Sequence, residues 1–285
     1  MIGAIADDFT GATDVAVAFR RAGLRTVVLF RRPAIDAELP DVDAVVIGLK
    51  TRTVPAAQAV IESVAAARWL QGRGASQFYF KYCSTFDSRP EGNIGPVADA
   101  LSEMLGARQV AVAPSSPEHG RTQYQGHLFV GEQLLSESPM RHHPLTPMTD
   151  SSIPRVLEAQ TRHPVRLVPR ATVARGADAI AAELQERPGA GVDYVVLDAL
   201  DDADLTQIGL AVSGHVLITG AAGLAGGLGR ALAAGAPSLV GPAVDGDPVG
   251  CVRAAALAGS CSSMTLAQVA DMSATHPSSA PNASP

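Results

Sequence analysis

Two adjacent carboxylates, Asp7 and Asp8, close a short apolar run from Ile2 to Ala6. Thr10-Gly11-Ala12 follows, and then a helical pattern from about Thr13 to Ala22. A buried strand, a polar turn and a helix start in that order are the material of an α/β ligand site. Ligands bind beyond the carboxyl ends of parallel strands, and the free N–H groups of a helix start favour an anion. If extended geometry persists through the pair, Asp7 and Asp8 point to opposite sides and one of them faces the ligand. The plainer alternative is an N-cap beside a solvated carboxylate.

Basic residues supply the complementary chemistry. Two lysines, Lys50 and Lys81, stand among twenty arginines, and each falls at or near the end of a predicted strand. An ammonium is a compact point charge that a guanidinium does not replace well, so contact with an anionic ligand competes with an ordinary surface position. The pair His142-His143 has no further ligands at metal-binding spacing, and no metal site is expected on the protein. The run Gly220-Ala221-Ala222-Gly223-Leu224-Ala225-Gly226-Gly227-Leu228-Gly229 is neither a Walker-type phosphate loop, since Gly-Lys occurs nowhere, nor a proper G-x-G-x-x-G. It reads as a tight turn with close helix–strand packing.

Composition narrows the class. The 285 residues are 47% hydrophobic but 4% aromatic, so aliphatic side chains build the core. A net charge of −6 without a basic stripe argues against a nucleic-acid surface. Cys83, Cys251 and Cys261 form no paired framework, which fits a reducing cytosol. Asp7 and Asp8 interrupt the first apolar run too early for a signal peptide. No segment is long and apolar enough for a bilayer-spanning helix.

Alternating strands and helices must position these groups. Strands are predicted at 25–30, 44–49, 77–82 and 110–113, with helices from about Pro55 to Gln71 and from Ile94 to Leu105. The rhythm breaks from Pro114 to Asp150, read as a hairpin or a long excursion over the site. It resumes with a helix at 153–160, strands at 165–168, 194–198 and 215–219, and helices at 177–186 and 202–212. A last strand at 250–257, a polar loop and a helix at 265–272 precede a tail expected to be disordered. The pattern implies a parallel sheet with helices on both faces.

Several motifs together resemble one family. Ala6-Asp7-Asp8-Phe9-Thr10-Gly11-Ala12 is similar to the opening signature of the four-carbon acid sugar kinases. Lys81-Tyr82-Cys83-Ser84-Thr85-Phe86-Asp87-Ser88 and Glu91-Gly92-Asn93-Ile94-Gly95-Pro96-Val97 resemble its 3-oxo-tetronate kinase branch. So do Gly120-Arg121-Thr122, Tyr124 to Gly131, and Met140 to Asp150. Arg89, and more mildly Gln123, depart from the pattern.

The resemblance implies an acid-sugar-binding domain over 1–240 and the first strand, loop and helix of an incomplete nucleotide-binding domain over 241–272, with 273–285 as the tail. It implies ATP-dependent phosphorylation of the terminal hydroxyl of a 3-oxo-tetronate, with Mg²⁺, impaired in this chain because most of the ATP domain is absent. Joined to the residue reading, it makes Asp8, then Asp7, the general base or hydroxyl-orienting group. Arg52 and Lys81 are the partners for the substrate carboxylate. Ser84, Thr85, Asp87 and Asn93 become hydrogen-bonding groups, with Arg121 and His142 as further substrate contacts. Ser260 and Ser262 are the remnants of the ATP site. A small sugar acid is the expected partner, in the cytoplasm, with no nucleic acid or membrane, and with a homodimer or a complementing chain as protein partner. The competing readings are a binding-only fragment and, on the α/β pattern alone, a nicotinamide-dependent dehydrogenase, against which the absent dinucleotide fingerprint speaks.

Overall fold

The computed structural model describes residues 1–31, 33–34, 39–86, 89–143, 145–185, 191–233 and 263–275. By contacts the chain divides into two units, Met1–Val240 and Gly241–Pro285. In the second, the described residues are those of one helix, Ser263–Thr275. It begins two residues before the predicted start and runs three past the predicted end at Met272. The predicted strand at 250–257, Ser260, Ser262 and the tail from residue 276 lie outside the described residues, as does Asp87.

The first unit opens with β1 (Ile2–Ala6), α1 (Phe9–Arg21), β2 (Thr26–Phe30), β3 (Ala44–Gly48), α2 (Ala56–Gly72), β4 (Gln77–Lys81), α3 (Ile94–Leu105) and β5 (Gln109–Ala113). Next come β6 (Arg121–Tyr124), β7 (His127–Val130), β8 (Gln133–Leu134), α4 (Ile153–Glu158), β9 (Val165–Val168), α5 (Arg170–Val173) and α6 (Ala177–Gln185). It closes with β10 (Asp193–Leu197), α7 (Asp202–Val212), β11 (Leu217–Gly220) and α8 (Ala222–Ala233). Eight strands form one parallel sheet in the order β2-β3-β1-β4-β11-β5-β10-β9.

The strand sequences read as nearly unbroken apolar runs because both sheet faces are covered. In β4, Phe78 and Phe80 join the core under α2 and α3, while Tyr79 joins the core under α1 and α8. From β1 the chain runs through α1 toward the β2 edge; from β4 it runs through α3 the other way. That reversal puts a topological switch point between β1 and β4, the place where a parallel sheet opens a crevice.

The glycine run is a helix, α8, rather than a turn. Intrinsic propensity disfavours glycine there, but packing against α7 overrides it. A Cβ on Gly227 would lie 2.1 Å from the Leu205 carbonyl oxygen, and one on Gly209 would lie 2.4 Å from the Gly227 carbonyl carbon. The glycines serve helix–helix contact, where helix–strand packing was expected.

The break in rhythm after β5 becomes a three-stranded antiparallel sheet, β6-β7-β8. Its first turn places Gln125 at φ 51° and Gly126 at φ 72°, the doubly left-handed form that suits a two-residue hairpin. The strands of this sheet do not line the space at the β1–β4 strand ends, but Ser116 and His119, at the start of the same stretch, do. The carboxylate of Asp198, just past β10, pins the hairpin by accepting from Gln123 Nε2 at 3.1 Å, Gln125 N at 2.7 Å and Gly126 N at 2.9 Å.

Candidate active site

The carboxyl ends of the central strands lie in register. Ala6 pairs with Gly48 on one side and Lys81 on the other; Lys81 pairs with Gly220, and Gly220 with Ala113. The residues just beyond that row surround a cavity of about 170 Å³. Asp8, Thr10, Gly11 and Asp14 come from the β1–α1 connection and the first turns of α1, and Arg52 from the loop after β3. Lys81, Cys83 and Ser84 come from the end of β4, Ser116 and His119 from beyond β5, and Ala221 and Ala222 from the start of α8.

Of the pair, only Asp8 lines the cavity, and its backbone is still extended at φ −146° and ψ 166° before α1 begins. Both carboxylates meet Arg52. Asp7 is buried and takes Arg52 in a two-point contact, Nε at 2.9 Å and Nη2 at 2.7 Å. Asp8 Oδ1 lies 2.8 Å from Arg52 Nη2 and accepts from Gly11 N at 2.7 Å, capping α1. Both contacts of Asp8 fall on Oδ1, which leaves Oδ2 as its remaining acceptor beside the cavity. The Asp8 side chain keeps 27% of its surface accessible against 5% for Asp7.

Burial pushes the Asp7 carboxyl above the ordinary carboxylate range, against the opposing pull of Arg52 and Lys81. Burial also works to discharge Arg52, but its hydrogen bonds and charge interaction with Asp7 override that and hold it protonated.

Lys81 is buried, and its Nζ donates to the Tyr82 carbonyl at 2.8 Å. An ammonium has three donors, so two remain for a ligand. Glycine at position 11 makes the approach: a Cβ there would sit 2.5 Å from Asp8 Oδ1 and 2.8 Å from Lys81 Nζ. Carboxylate acceptor and ammonium donor thus flank one small space.

The other expected residues divide. Ser84 lines the cavity. Thr85 is buried with Oγ1 3.0 Å from Cys83 Sγ, behind that wall. Asn93 is buried and spends its amide on the backbone carbonyls of Thr51 at 2.7 Å, Arg52 at 3.3 Å and Val54 at 3.1 Å. It shapes the loop that carries Arg52 and does not reach the cavity. Arg121 does not line the cavity either; its Nη1 donates to the His119 carbonyl. His142 ends a 3-10 turn (Pro139–His142) away from the cavity. Lys50 stands over the Phe9 ring, 5.1 Å from its centroid. Arg89, exposed, lines a neighbouring hollow with Arg52, Thr53, Glu91, Asn93 and Thr146, and Arg52 is common to that hollow and the cavity.

Sequence reasoning missed Asp14, Ser116 and His119. Ser116 and His119 follow a central strand, β5, and their place just past its carboxyl end was the available signal. Among the described residues, no three His, Cys, Asp or Glu side chains converge as metal ligands.

Residues 2–228 match the family described as the sugar-binding N-terminal domain. The chain belongs to that family. It is similar to a 3-oxo-tetronate kinase of Methylobacterium radiotolerans, 50% identical over 97% of this chain and 65% of that protein. It is likewise similar to one of Brucella melitensis, 49% identical over 97% of this chain and 63% of that protein. The chain therefore spans just under two thirds of the length of these relatives. Among solved structures, a Salmonella typhimurium LT2 protein superposes with a TM-score of 0.79 at 48% identity, covering 82% of this chain and 56% of that one. A domain of unknown function from Bordetella bronchiseptica, crystallised with bound citrate as a domain-swapped dimer, superposes with a TM-score of 0.68 at 30% identity over the same shares. The α/β architecture with a parallel sheet is common to them.

Proposed function

We propose that this chain binds the sugar acid in a 3-oxo-tetronate kinase reaction, the ATP-dependent phosphorylation of the acid's terminal hydroxyl. The observation that carries the reading is the pairing of Lys81 Nζ and the Asp8 carboxylate around Gly11, inside a cavity of about 170 Å³ at the switch point. Drug-sized ligands occupy about 300–1,000 Å³, so this space suits a molecule of a few carbons. The kinase names of the relatives and the citrate bound by the Bordetella protein point to the same chemistry, a small hydroxylated acid.

In this reading Lys81 holds the substrate carboxylate, and Asp8 Oδ2 accepts a hydrogen bond from the hydroxyl next to it. Asp8 is then an orienting group rather than the base. Arg52, which lines the cavity, aims Asp8 and stands with Lys81 toward the substrate carboxylate, with Asp7 fixing Arg52 from behind. Ser84 donates to a further oxygen of the acid.

Phosphoryl transfer depends mainly on positioning and on neutralising phosphate charge. Mg²⁺ is commonly held by one or two carboxylates together with substrate phosphates, and here it is assigned to the bound ATP. The nucleotide site is assigned mainly to a domain beyond this stretch of sequence, with 241–272 as its start and Ser260 and Ser262 as its remnants, as the family resemblance implies. No helix among the described residues is long and apolar enough to cross a membrane. The dimer of the Bordetella relative makes self-association the partner expectation.

Calorimetric titration with 3-oxo-tetronate tests the reading. Saturable heat at one site per chain is expected; a flat titration with folded protein overturns it.

A further inference from the structure

The small cavity is not closed. Asp14, Ser116, His119 and Ala222 line it and also line a second, larger groove of about 580 Å³ between α1 and α8. These four residues form a neck. One end of the cavity is the Asp8–Lys81 pair; the neck leads out toward space large enough for a phosphate chain.

We infer that Ser116 and His119 form a subsite for the phosphoryl end of the ligand, the group transferred to or already carried by the terminal oxygen of the acid. This rests on the assignment of the acid to the Asp8–Lys81 end. A four-carbon acid anchored there by its carboxylate has to present its far hydroxyl to an opening that a phosphoryl donor can enter, and the neck is that opening.

The chemistry of the neck suits the role. His119 Nδ1 is 2.9 Å from the hydroxyl of Ser116, which is itself buried. That contact fixes the ring plane and leaves Nε2 as the nitrogen available to a ligand. The backbone of His119 is held separately, its carbonyl accepting from Arg121 Nη1 and its N–H donating to the Ser116 carbonyl at 2.9 Å. Other basic side chains of the groove are committed elsewhere. Arg21 pairs with Glu118 at 2.9 Å, and Arg230 donates to Thr206 Oγ1 at 3.0 Å and to the Asp202 carbonyl at 3.4 Å. Asp14 and Asp202 add negative charge on the same walls and oppose a phosphoryl group, so in this assignment its recognition rests on the Nε2–H that His119 carries when Nδ1 accepts from the Ser116 hydroxyl. Arg121 thereby acquires a positioning role, holding the loop that carries His119.

Two stable probes, compared by calorimetry on the full chain, provide the test: erythronate, a reduced four-carbon acid, and 4-phosphoerythronate. The native protein is expected to bind the phosphorylated acid on the order of tenfold more tightly, the worth of one charge-assisted hydrogen bond. In His119→Gln that ratio should fall to about one, and in Ser116→Ala, where the ring loses its brace, it should fall part of the way. Lys81→Met should weaken both probes together and keep the ratio. Erythronate binding serves as the check that the His119 and Ser116 variants are folded, and the unfolding midpoint in urea does so for Lys81→Met. A native ratio of one or less, or a ratio that survives His119→Gln, overturns the subsite. Binding of the phosphorylated probe alone, abolished by His119→Gln, would uphold the subsite and sink the acid-sugar assignment. Binding of neither probe by the native chain overturns both.

Discussion

Two strand ends of the same sheet carry aspartates and put them to opposite uses. Past β10, Asp198 is fully buried and accepts from Gln123 Nε2, from the backbone of Gln125 and Gly126, and from Arg170 N at 3.1 Å. Both of its oxygens are occupied by the protein. Past β1, Asp8 receives its two contacts on a single oxygen and keeps the other beside a cavity. Residue type and location relative to the strand are alike. What separates a fixture from a site is how much acceptor capacity the fold leaves over.

That contrast can be broken by substitution. The largest effect is expected at the fixture. Asp198→Ala strands two backbone N–H groups of a left-handed turn and should cost about 3–5 kcal/mol of stability, read as a lower midpoint in urea. The surviving folded fraction should bind the sugar acid normally; a large loss of stability at Asp8→Ala instead would reverse the comparison.

At the site the effect moves from stability to binding. Lys81→Met should lower acid affinity by about a hundredfold, measured calorimetrically, with little change in the unfolding midpoint. An affinity within about threefold of native would remove Lys81 from the site. Asn93→Ala tests the layer behind. Losing three contacts to the 51–54 backbone should shift Arg52 and weaken the acid by about tenfold, while Asn93→Asp, which cannot donate to those carbonyls, should do no better.

The smallest expected effect lies at the opposite end of the sheet. His215 is half-buried, and its Nδ1 has no partner among the described residues. Burial holds its pKa below the ordinary value. The unfolded chain therefore takes up that proton first as pH falls below about 6.5, so the folded state loses stability from there down to the lowered folded value. His215→Gln should flatten the stability–pH curve in that window by no more than about 1 kcal/mol. It should leave acid binding untouched at every pH.

Much of the fold is legible in the sequence because parallel strands between covering helices read as short apolar runs. The expected bounds of α3, β9 and α7 match those of the structure. The glycine run misleads because helix propensity is a local quantity and the α7–α8 contact is not. That one arginine, Arg52, pairs with both Asp7 and Asp8 has no signal in their adjacency. Asn93 looks like a ligand because an asparagine in a motif does not say whether its amide is spent on backbone. Ser116 and His119 are signalled only by their place just past β5; that β11 inserts between β4 and β5, so that the wall they join also carries the start of α8, is not readable from sequence order.

The same insertion has a consequence during synthesis. Until residues 217–220 have left the ribosome and found their slot, β4 and β5 cannot be joined, and the nascent chain holds two half-sheets with open central edges. Such pairings are late and slow to form, and exposed central edges invite association with other chains. The strand that completes the walls of the cavity is also the last of the sheet to be made, so the ability to bind and protection from misassembly should appear together, in one step, on the folding path.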